Sequence, residues 1–191
     1  MRDRAILMVL LWVLCYAAAL AQTEPAQPKP GPEAQKLGIF IGKWKIEGDL
    51  PPGAMGTPGG KTSGTASCES ISEGFGVLCR ETVPMPGSRG DLTDVYILAY
   101  DDEAKNYFFS QVSAGGAVWV GHGTVNGDTW VWIVDSTIDG KPIHVRFTNK
   151  WTSADSFDFK NEIGTKADSM TVMMAGKQIR VAARGAMPVS K

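Results

Sequence analysis

The sequence predicts an all-β protein: an up-and-down antiparallel β-barrel of about ten strands, preceded by a short helix or turn. Alternating apolar and polar residues recur about every 8–12 residues, and no window of helical period extends beyond about two turns. The 191 residues include 22 glycines and 11 prolines, which supply breaks between many short strands. Closure into a barrel leaves no exposed strand edge. A barrel of this many strands is too wide for its side chains to fill, so we expect an internal cavity.

Composition excludes several classes of protein. Apolar residues make up 43% of the chain and charged residues 20%, which is enough for a hydrophobic core. Lys+Arg 19 against Asp+Glu 20 gives a net charge of -1, which argues against a nucleic-acid binder. The few Cys and His residues show no metal-ligand spacing, so we expect neither a metal nor a cofactor.

The first 21 residues have the pattern of a signal peptide. Arg2 and Arg4 precede the uncharged apolar stretch Ala5–Ala21, which ends in Ala19-Leu20-Ala21 with small residues at the -3 and -1 positions. The pattern predicts export to the periplasm or beyond after cleavage near Ala21, with no membrane span in the mature chain. An uncleaved membrane anchor is the alternative.

The rest of the chain divides into two parts. Residues 22–36 hold four prolines among polar residues and predict a disordered leader. Residues 37–191 predict a single barrel domain, whose first residues continue a short helix or turn over Glu33–Ile41. The expected strands are Lys43–Gly48, Thr62–Ser72, Phe75–Val83, Leu92–Tyr100, Tyr107–Ser113, Ala117–Val125, Asp128–Ser136, Pro142–Trp151, Ser156–Ile163, Ser169–Met174 and Gln178–Ala183. Ala175–Lys177 is expected to be the turn between the last two.

Two cysteines remain after cleavage of the signal peptide. A two-residue turn at Glu73-Gly74 puts Cys68 directly opposite Cys79, and opposed residues of an antiparallel pair lie within disulfide range. In an oxidising compartment this register predicts a disulfide across the two strands. Two free buried thiols are the alternative.

Tryptophans and glycines share one face of a later hairpin. A type I′ turn at Asn126-Gly127 sets Gly123 opposite Trp130 and Gly121 opposite Trp132, with Trp119 on the same face. The other face is also apolar, which is unusual for a barrel wall. Three alternatives explain a wall that is apolar on both faces: a ligand cavity, a subunit interface, or core packing alone.

Several segments resemble a known family. Leu37–Trp44 (LGIFIGKW) is similar to the opening of lipocalin-like, or calycin-like, barrels. The chain also resembles a bacterial lipocalin-like family catalogued as domain of unknown function 1579. The similar segments are Thr62–Ala66, Glu73–Leu78, Leu98–Asp101 with Tyr107, and Asp155–Phe159. The resemblance covers roughly residues 37–183, implies the barrel fold and brings no catalytic residues. The two cysteines and the many tryptophans depart from the usual family pattern.

Three functional hypotheses follow. The first is binding of a small apolar or aromatic ligand in the barrel; the expected binding residues are Trp44 at the floor, Tyr96, Trp119, Trp130 and Trp132. The second is an oligomeric or envelope-associated interaction module without a ligand. The third is a cavity enzyme of cyclase or isomerase type, which needs an inward His or carboxylate. No catalytic motif is present, so we expect no enzyme activity.

Overall fold

The computed structural model describes residues 28–87, 90–114, 116–138 and 140–182. The predicted signal peptide and residues 22–27 lie outside the described residues. The described part of the chain begins with a short α-helix, α1, and a 3₁₀ helix, Leu37–Phe40, and continues with ten strands. Helix α1 is Pro32–Lys36, and the strands are β1 Gly42–Leu50, β2 Gly60–Ile71, β3 Gly76–Pro84, β4 Asp91–Asp101, β5 Asn106–Ser113, β6 Val118–Asn126, β7 Thr129–Ile138, β8 Lys141–Ser153, β9 Ser156–Lys166 and β10 Ser169–Ala182. Within these ranges no helix is long and apolar enough to cross a membrane.

The strands form a closed antiparallel barrel, as predicted. Each strand pairs with the next along the chain, and β1 pairs with β10 to close the barrel. Successive strands therefore run between the same two ends. We call the end where β1 begins the closed end, because the 3₁₀ helix precedes it, and the other the open end.

The last two predicted strands are one strand. The turn expected at Ala175–Lys177 is wrong, because β10 continues through it and Gly176 pairs with Gly48 on β1. A Cβ atom on Gly176 would lie 1.9 Å from the carbonyl oxygen of Glu47. This glycine therefore permits a close approach of two strands, which is the other common role of glycine within a sheet.

The cysteine hairpin has the predicted register. Cys68 on β2 lies directly opposite Cys79 on β3, with 4.1 Å between their Cα atoms, and a disulfide joins them. The turn between the strands is a short 3₁₀ segment, Ser72–Gly74, in which the N–H of Phe75 donates to the carbonyl of Ser72. Both cysteines are buried and face the barrel interior.

The β6–β7 hairpin differs from its predicted register by two residues. Asn126 pairs with Thr129, so the turn residues are Gly127 and Asp128, and Gly123 lies opposite Trp132 rather than Trp130. Gly127 takes a φ of 59°, and Asp128 does not have positive φ. Glycine at the first central position suits a type II′ turn, whereas the type I′ expectation needs positive φ at both. A shift of two keeps every side chain on its face.

A buried arginine and a buried tryptophan hold the closed end together. The indole N–H of Trp44 donates to the carbonyl of Phe40 at 2.8 Å, and the guanidinium of Arg180 stacks 4.0 Å from the Trp44 ring. Arg180 also donates to the carbonyls of Ile39 and Ile41 and forms an ion pair with Asp155. These bonds attach the 3₁₀ helix to the barrel as its plug.

The outer surface is polar on most strands but apolar on β4 to β6. We call the following six outward residues the outer apolar face: Val95, Ile97, Phe108, Val112, Val118 and Val120. Each is between 38% and 59% exposed. Elsewhere the outer surface carries ion pairs, such as Arg80 with Glu69 at 2.7 Å and Arg146 with Glu162 at 2.8 Å.

Candidate functional site

The barrel encloses a cavity of about 120 Å³ between the plug and the open end. Alternation along each strand sends one set of side chains inward, and these line the cavity together with one residue of the plug and one residue of the β1–β2 loop. The lining residues are Phe40, Met55, Glu81, Leu92, Asp94, Tyr96, Leu98, Phe109, Gln111, Ser113, Trp119, Trp132, Phe147, Asn149, Phe157, Phe159, Asn161, Met173, Met174 and Gln178. The interior is therefore mixed, with aromatic walls and a small number of polar groups.

Aromatic rings form the part of the cavity nearest the plug. The ring of Phe40 lies 6.3 Å from the ring of Trp132, and Phe109 lies 5.9 Å from Trp132. Phe147 extends this cluster along the wall, 5.3 Å from Phe109 and 5.9 Å from Trp119. Tilted and edge-on rings at such separations attract one another and present both faces and edges to a guest.

A glycine on β6 makes room for the tryptophan. Gly123 lies directly opposite Trp132, and a Cβ atom there would be 2.4 Å from the indole ring. Gly121 lies opposite Val134 rather than Trp132 as predicted, and it permits a close approach to the carbonyl of Ile133 instead. The indole therefore lies flat against the β6 wall, where a larger residue would push it into the cavity.

Two carboxyl groups face the cavity from neighbouring strands. Glu81 on β3 lies directly opposite Asp94 on β4, toward the open end. Asp94 is 9% exposed, and its Oδ1 atom accepts no hydrogen bond from any described residue. Glu81 is only partly buried, because it lines the cavity. Directly opposed acidic residues are uncommon in a sheet, since like charges repel across the strands.

Burial makes these carboxyl groups hard to ionise. It raises the pKa of Glu81 to about 8; the charge of Asp94 adds to this rise and a hydrogen bond from Gln178 opposes it. Burial also raises the pKa of Asp94, against hydrogen bonds from Ser113 and Gln111. Removing a charge from water without a counter-ion always favours the neutral form of a carboxyl group.

The phenol of Tyr96 adjoins the pair. Tyr96 lies directly opposite Cys79, one inward position from both carboxyl groups. Burial raises its pKa well above the ordinary value, and the charges of Glu81 and Asp94 add to this effect. Tyr96 therefore stays neutral and offers a hydroxyl group to the cavity.

The five residues predicted to bind a ligand fall into two groups. Tyr96, Trp119 and Trp132 line the cavity. Trp44 and Trp130 lie beneath it: Trp130 packs 5.2 Å from Phe40, and Trp44 is 1% exposed within the closed end. The face of the β6–β7 hairpin that carries the tryptophans is the internal one.

Glu81 and Asp94 were not predicted from the sequence. Alternation already contains the signal, because Glu81 shares its strand face with Cys79 and Val83, and Asp94 shares its face with Tyr96 and Leu98. The strand register then sets the two acids opposite each other. A charged residue on an otherwise apolar strand face belongs among candidate site residues.

Both histidines lie on the outer surface. His144 forms a hydrogen bond with Asp135, and Arg146 on the same outward face of β8 forms an ion pair with Glu162. His122 is exposed on β6. The described residues hold no group of three or more His, Cys, Asp or Glu side chains arranged to bind a metal ion.

Structural comparison supports the barrel fold. The crystal structure of Rv2717c from M. tuberculosis matches with a TM-score of 0.56 at 10% identity, over 81% of this chain and 100% of that chain. Two further similar structures are a de novo designed fluorescence-activating β-barrel and EF1p2_mFAP2b bound to DFHBI. The designed barrel has a TM-score of 0.40 and 16% identity over 76% of this chain and 97% of its own. EF1p2_mFAP2b has a TM-score of 0.43 and 9% identity, over 77% of this chain and 98% of its own.

Sequence comparison identifies the family. No curated protein sequence matches the chain at a significant level. The profile of one family matches residues 29–180, which include the plug and nearly the whole barrel. The chain therefore belongs to the family described as "Protein of unknown function (DUF1579)".

Proposed function

We propose that the protein binds a small aromatic molecule inside the barrel. The observation that carries this proposal is the cavity of about 120 Å³, which aromatic side chains line and a plug closes at one end. A protein interior is normally packed without voids larger than a water molecule, so a cavity of this size costs stability, and its presence favours a use for it.

The size of the cavity limits its guest. An apolar cavity of about 150 Å³ in another protein accepts benzene. The present cavity is smaller, so it suits one aromatic ring, with any small substituent directed toward the open end, rather than a long acyl chain. The guest is stabilised by the apolar area that it loses to the walls, at about 25 cal/mol per Å².

Heavy-atom quenching tests the proposal. Iodobenzene quenches tryptophan fluorescence only at short range, so binding in the cavity quenches Trp119 and Trp132. We expect saturable quenching in the wild-type protein and the loss of most of it in the double variant Trp119→Phe/Trp132→Phe. Trp44→Phe, which removes an indole beneath the cavity, is the matched control and keeps the saturable quenching.

A linear response would count against the proposal. Quenching that rises linearly with iodobenzene concentration and never saturates is collisional. The same linear response in all three proteins rejects binding in the cavity.

A second candidate function is self-association through the outer apolar face. Val95 lies opposite Val112, which lies opposite Val118, so the patch is continuous over three strands. Its six residues carry no charge, and a two-fold interface of this face against a second copy therefore brings no like charges together. Light scattering tests this candidate: a dimer that Val112→Lys dissociates supports it, and a monomer at high concentration rejects it.

We also propose that the protein is exported and works without catalysing a reaction. The disulfide Cys68–Cys79 supports export, because such bonds persist in oxidising compartments. The mass of the protein recovered from its native host tests export. A chain that begins at Gln22 is expected, and a full-length chain in the cytosol contradicts the proposal.

A further inference from the structure

The titratable groups of the cavity are all acids. Among the described lining residues they are Glu81, Asp94 and Tyr96, and none of the twenty is Lys, Arg or His. The nearest polar neighbours, Gln111, Ser113 and Gln178, are neutral. Any charge that develops on the lining residues is therefore negative, and none of these residues supplies a positive counter-ion.

Asp94 has an acceptor atom without a donor. Its side chain is more than nine-tenths buried, yet Oδ1 receives no hydrogen bond from the part of the chain that the structure describes. Buried polar atoms nearly always have partners, and an orphaned one is costly. Asp94 lines the cavity, so its one acceptor atom without a donor fits a guest that brings one.

The aromatic walls favour the same kind of guest. Trp132, Trp119 and Phe109 line the same cavity as the two carboxyl groups. A cation close to such faces gains attraction from the ring quadrupoles, and more so where water is excluded.

From the opposed carboxyl pair, the acceptor atom of Asp94 that has no donor and the aromatic walls, we propose that the cavity takes a single-ring aromatic cation, a protonated amine or amidine. Its ring packs against Phe109 and Trp132, and its N–H groups donate to Asp94 and Glu81 toward the open end. This inference rests on the proposed binding function and names the class of ligand.

Binding of such a cation is coupled to proton release. The groups that face Glu81 are Asp94 on β4, Gln178 on β10 and Tyr96, and none carries positive charge. Its carboxyl group, with a pKa of about 8, is therefore mostly protonated in the free protein at neutral pH. A bound cation favours the carboxylate, so the Glu81 proton passes to the buffer. Affinity then rises with pH by about tenfold per unit, up to the pKa of the free carboxyl group.

Isothermal titration calorimetry with benzamidine and benzamide tests the inference. The two molecules have the same ring and nearly the same shape, but only benzamidine is a cation. We expect the wild-type protein to bind benzamidine at least about tenfold more tightly than benzamide at about pH 8, because only benzamidine supplies a charged donor to a buried acceptor. Proton release, measured in two buffers of different ionisation enthalpy, is expected to be close to one per benzamidine at about pH 6.5.

Three variants separate the roles of the groups. Asp94→Asn is expected to lower the affinity for benzamidine by about tenfold and to leave the affinity for benzamide unchanged. Glu81→Gln is expected to abolish the proton release while benzamidine still binds. Glu69→Gln, which removes an exposed carboxylate on the outer surface, is the control and should change neither the affinity for benzamidine nor the proton release. Both interior substitutions replace an acid that lines the cavity with its neutral isostere, so we expect folding to be retained.

The outcomes are distinguishable. Equal affinity for the two molecules overturns the inference and leaves the proposed function intact. Saturable binding of iodobenzene without binding of benzamidine also overturns the inference and leaves the proposed function intact. Failure of all three molecules to bind rejects the inference and the proposed function together.

Discussion

Glu81 on β3 and Asp94 on β4 lie directly opposite each other inside the barrel, and no basic side chain among the described cavity residues balances them. Most ion pairs of the described chain lie on the outer surface, where Arg80 meets Glu69 and Lys45 meets Glu47. Two acids that are enclosed together without a counter-ion lower stability. The proposed ligand would account for their position beside a cavity.

Stability should fall as pH rises from acid to neutral. The pKa of Glu81 is about 8 in the folded protein against an ordinary value of 4.5. Below about pH 4.5 both states hold the proton; between the two values only the folded state holds it, so each step up in pH favours unfolding. The raised pKa of Asp94 acts in the same direction. Urea denaturation between about pH 5 and pH 9 measures the effect.

Glu81→Gln should remove most of this pH dependence. The amide has no proton to lose, so we expect the variant to resemble the wild type near pH 4.5 and to be the more stable protein near pH 9. Glu69→Gln serves as the control and should follow the wild-type curve. Parallel curves for the wild type and Glu81→Gln would show that Glu81 is ionised throughout.

Gly123→Ala should move Trp132. The added Cβ atom would lie 2.4 Å from the indole ring, so the ring must shift toward the cavity. We expect a loss of about 1–3 kcal/mol in the free energy of unfolding and a changed near-ultraviolet circular dichroism spectrum. Gly31→Ala is the control, since nothing lies within 4 Å of a Cβ atom at that position. An unchanged spectrum in Gly123→Ala would contradict the close packing of Gly123 against Trp132.

Arg180→Met should loosen the plug. The side chain of Arg180 is 4% exposed and donates to the carbonyls of Ile39 and Ile41, which lose their donor in the variant. We expect a cost of about 2–4 kcal/mol by chemical denaturation. The same substitution at Arg80, whose side chain is 59% exposed, should cost less than about 0.5 kcal/mol. Equal losses at the two positions would refute the role assigned to Arg180.

Removal of the disulfide should destabilise the barrel without changing its fold. The bond between Cys68 and Cys79 closes a short loop, for which chain entropy gives about 2–3 kcal/mol. Denaturation of the double variant Cys68→Ala/Cys79→Ala, compared with the wild type under non-reducing conditions, measures this difference. Mass spectrometry without reductant checks the bond itself, and two free thiols on the native protein would exclude it.

Local rules predicted the fold well. Strand alternation and turn residues indicated the closed barrel, and the position of Glu73-Gly74 indicated the register that sets Cys68 against Cys79. The errors arose where glycine has more than one role. Gly176 separates no strands but allows Gly48 to approach, and Gly127 begins its turn rather than ending it.

The candidate site was only partly predictable. Trp119 and Trp132 were predicted from the tryptophans that share one face of the β6–β7 hairpin, and Tyr96 was named beside them; all three line the cavity. Trp44 was expected at the floor and lies there. The positions of Glu81 and Asp94 depend on the register of β3 against β4, which the segment between these strands did not reveal. Their raised pKa values depend on enclosure by the whole barrel, which no single segment encodes.

The most direct test of the central claim is the crystal structure of the protein with iodobenzene, in which anomalous scattering locates the iodine. We predict an iodine peak inside the barrel, bounded by Phe40, Phe109 and Trp132. Iodine peaks confined to the outer apolar face, with none in the cavity, would contradict binding inside the barrel.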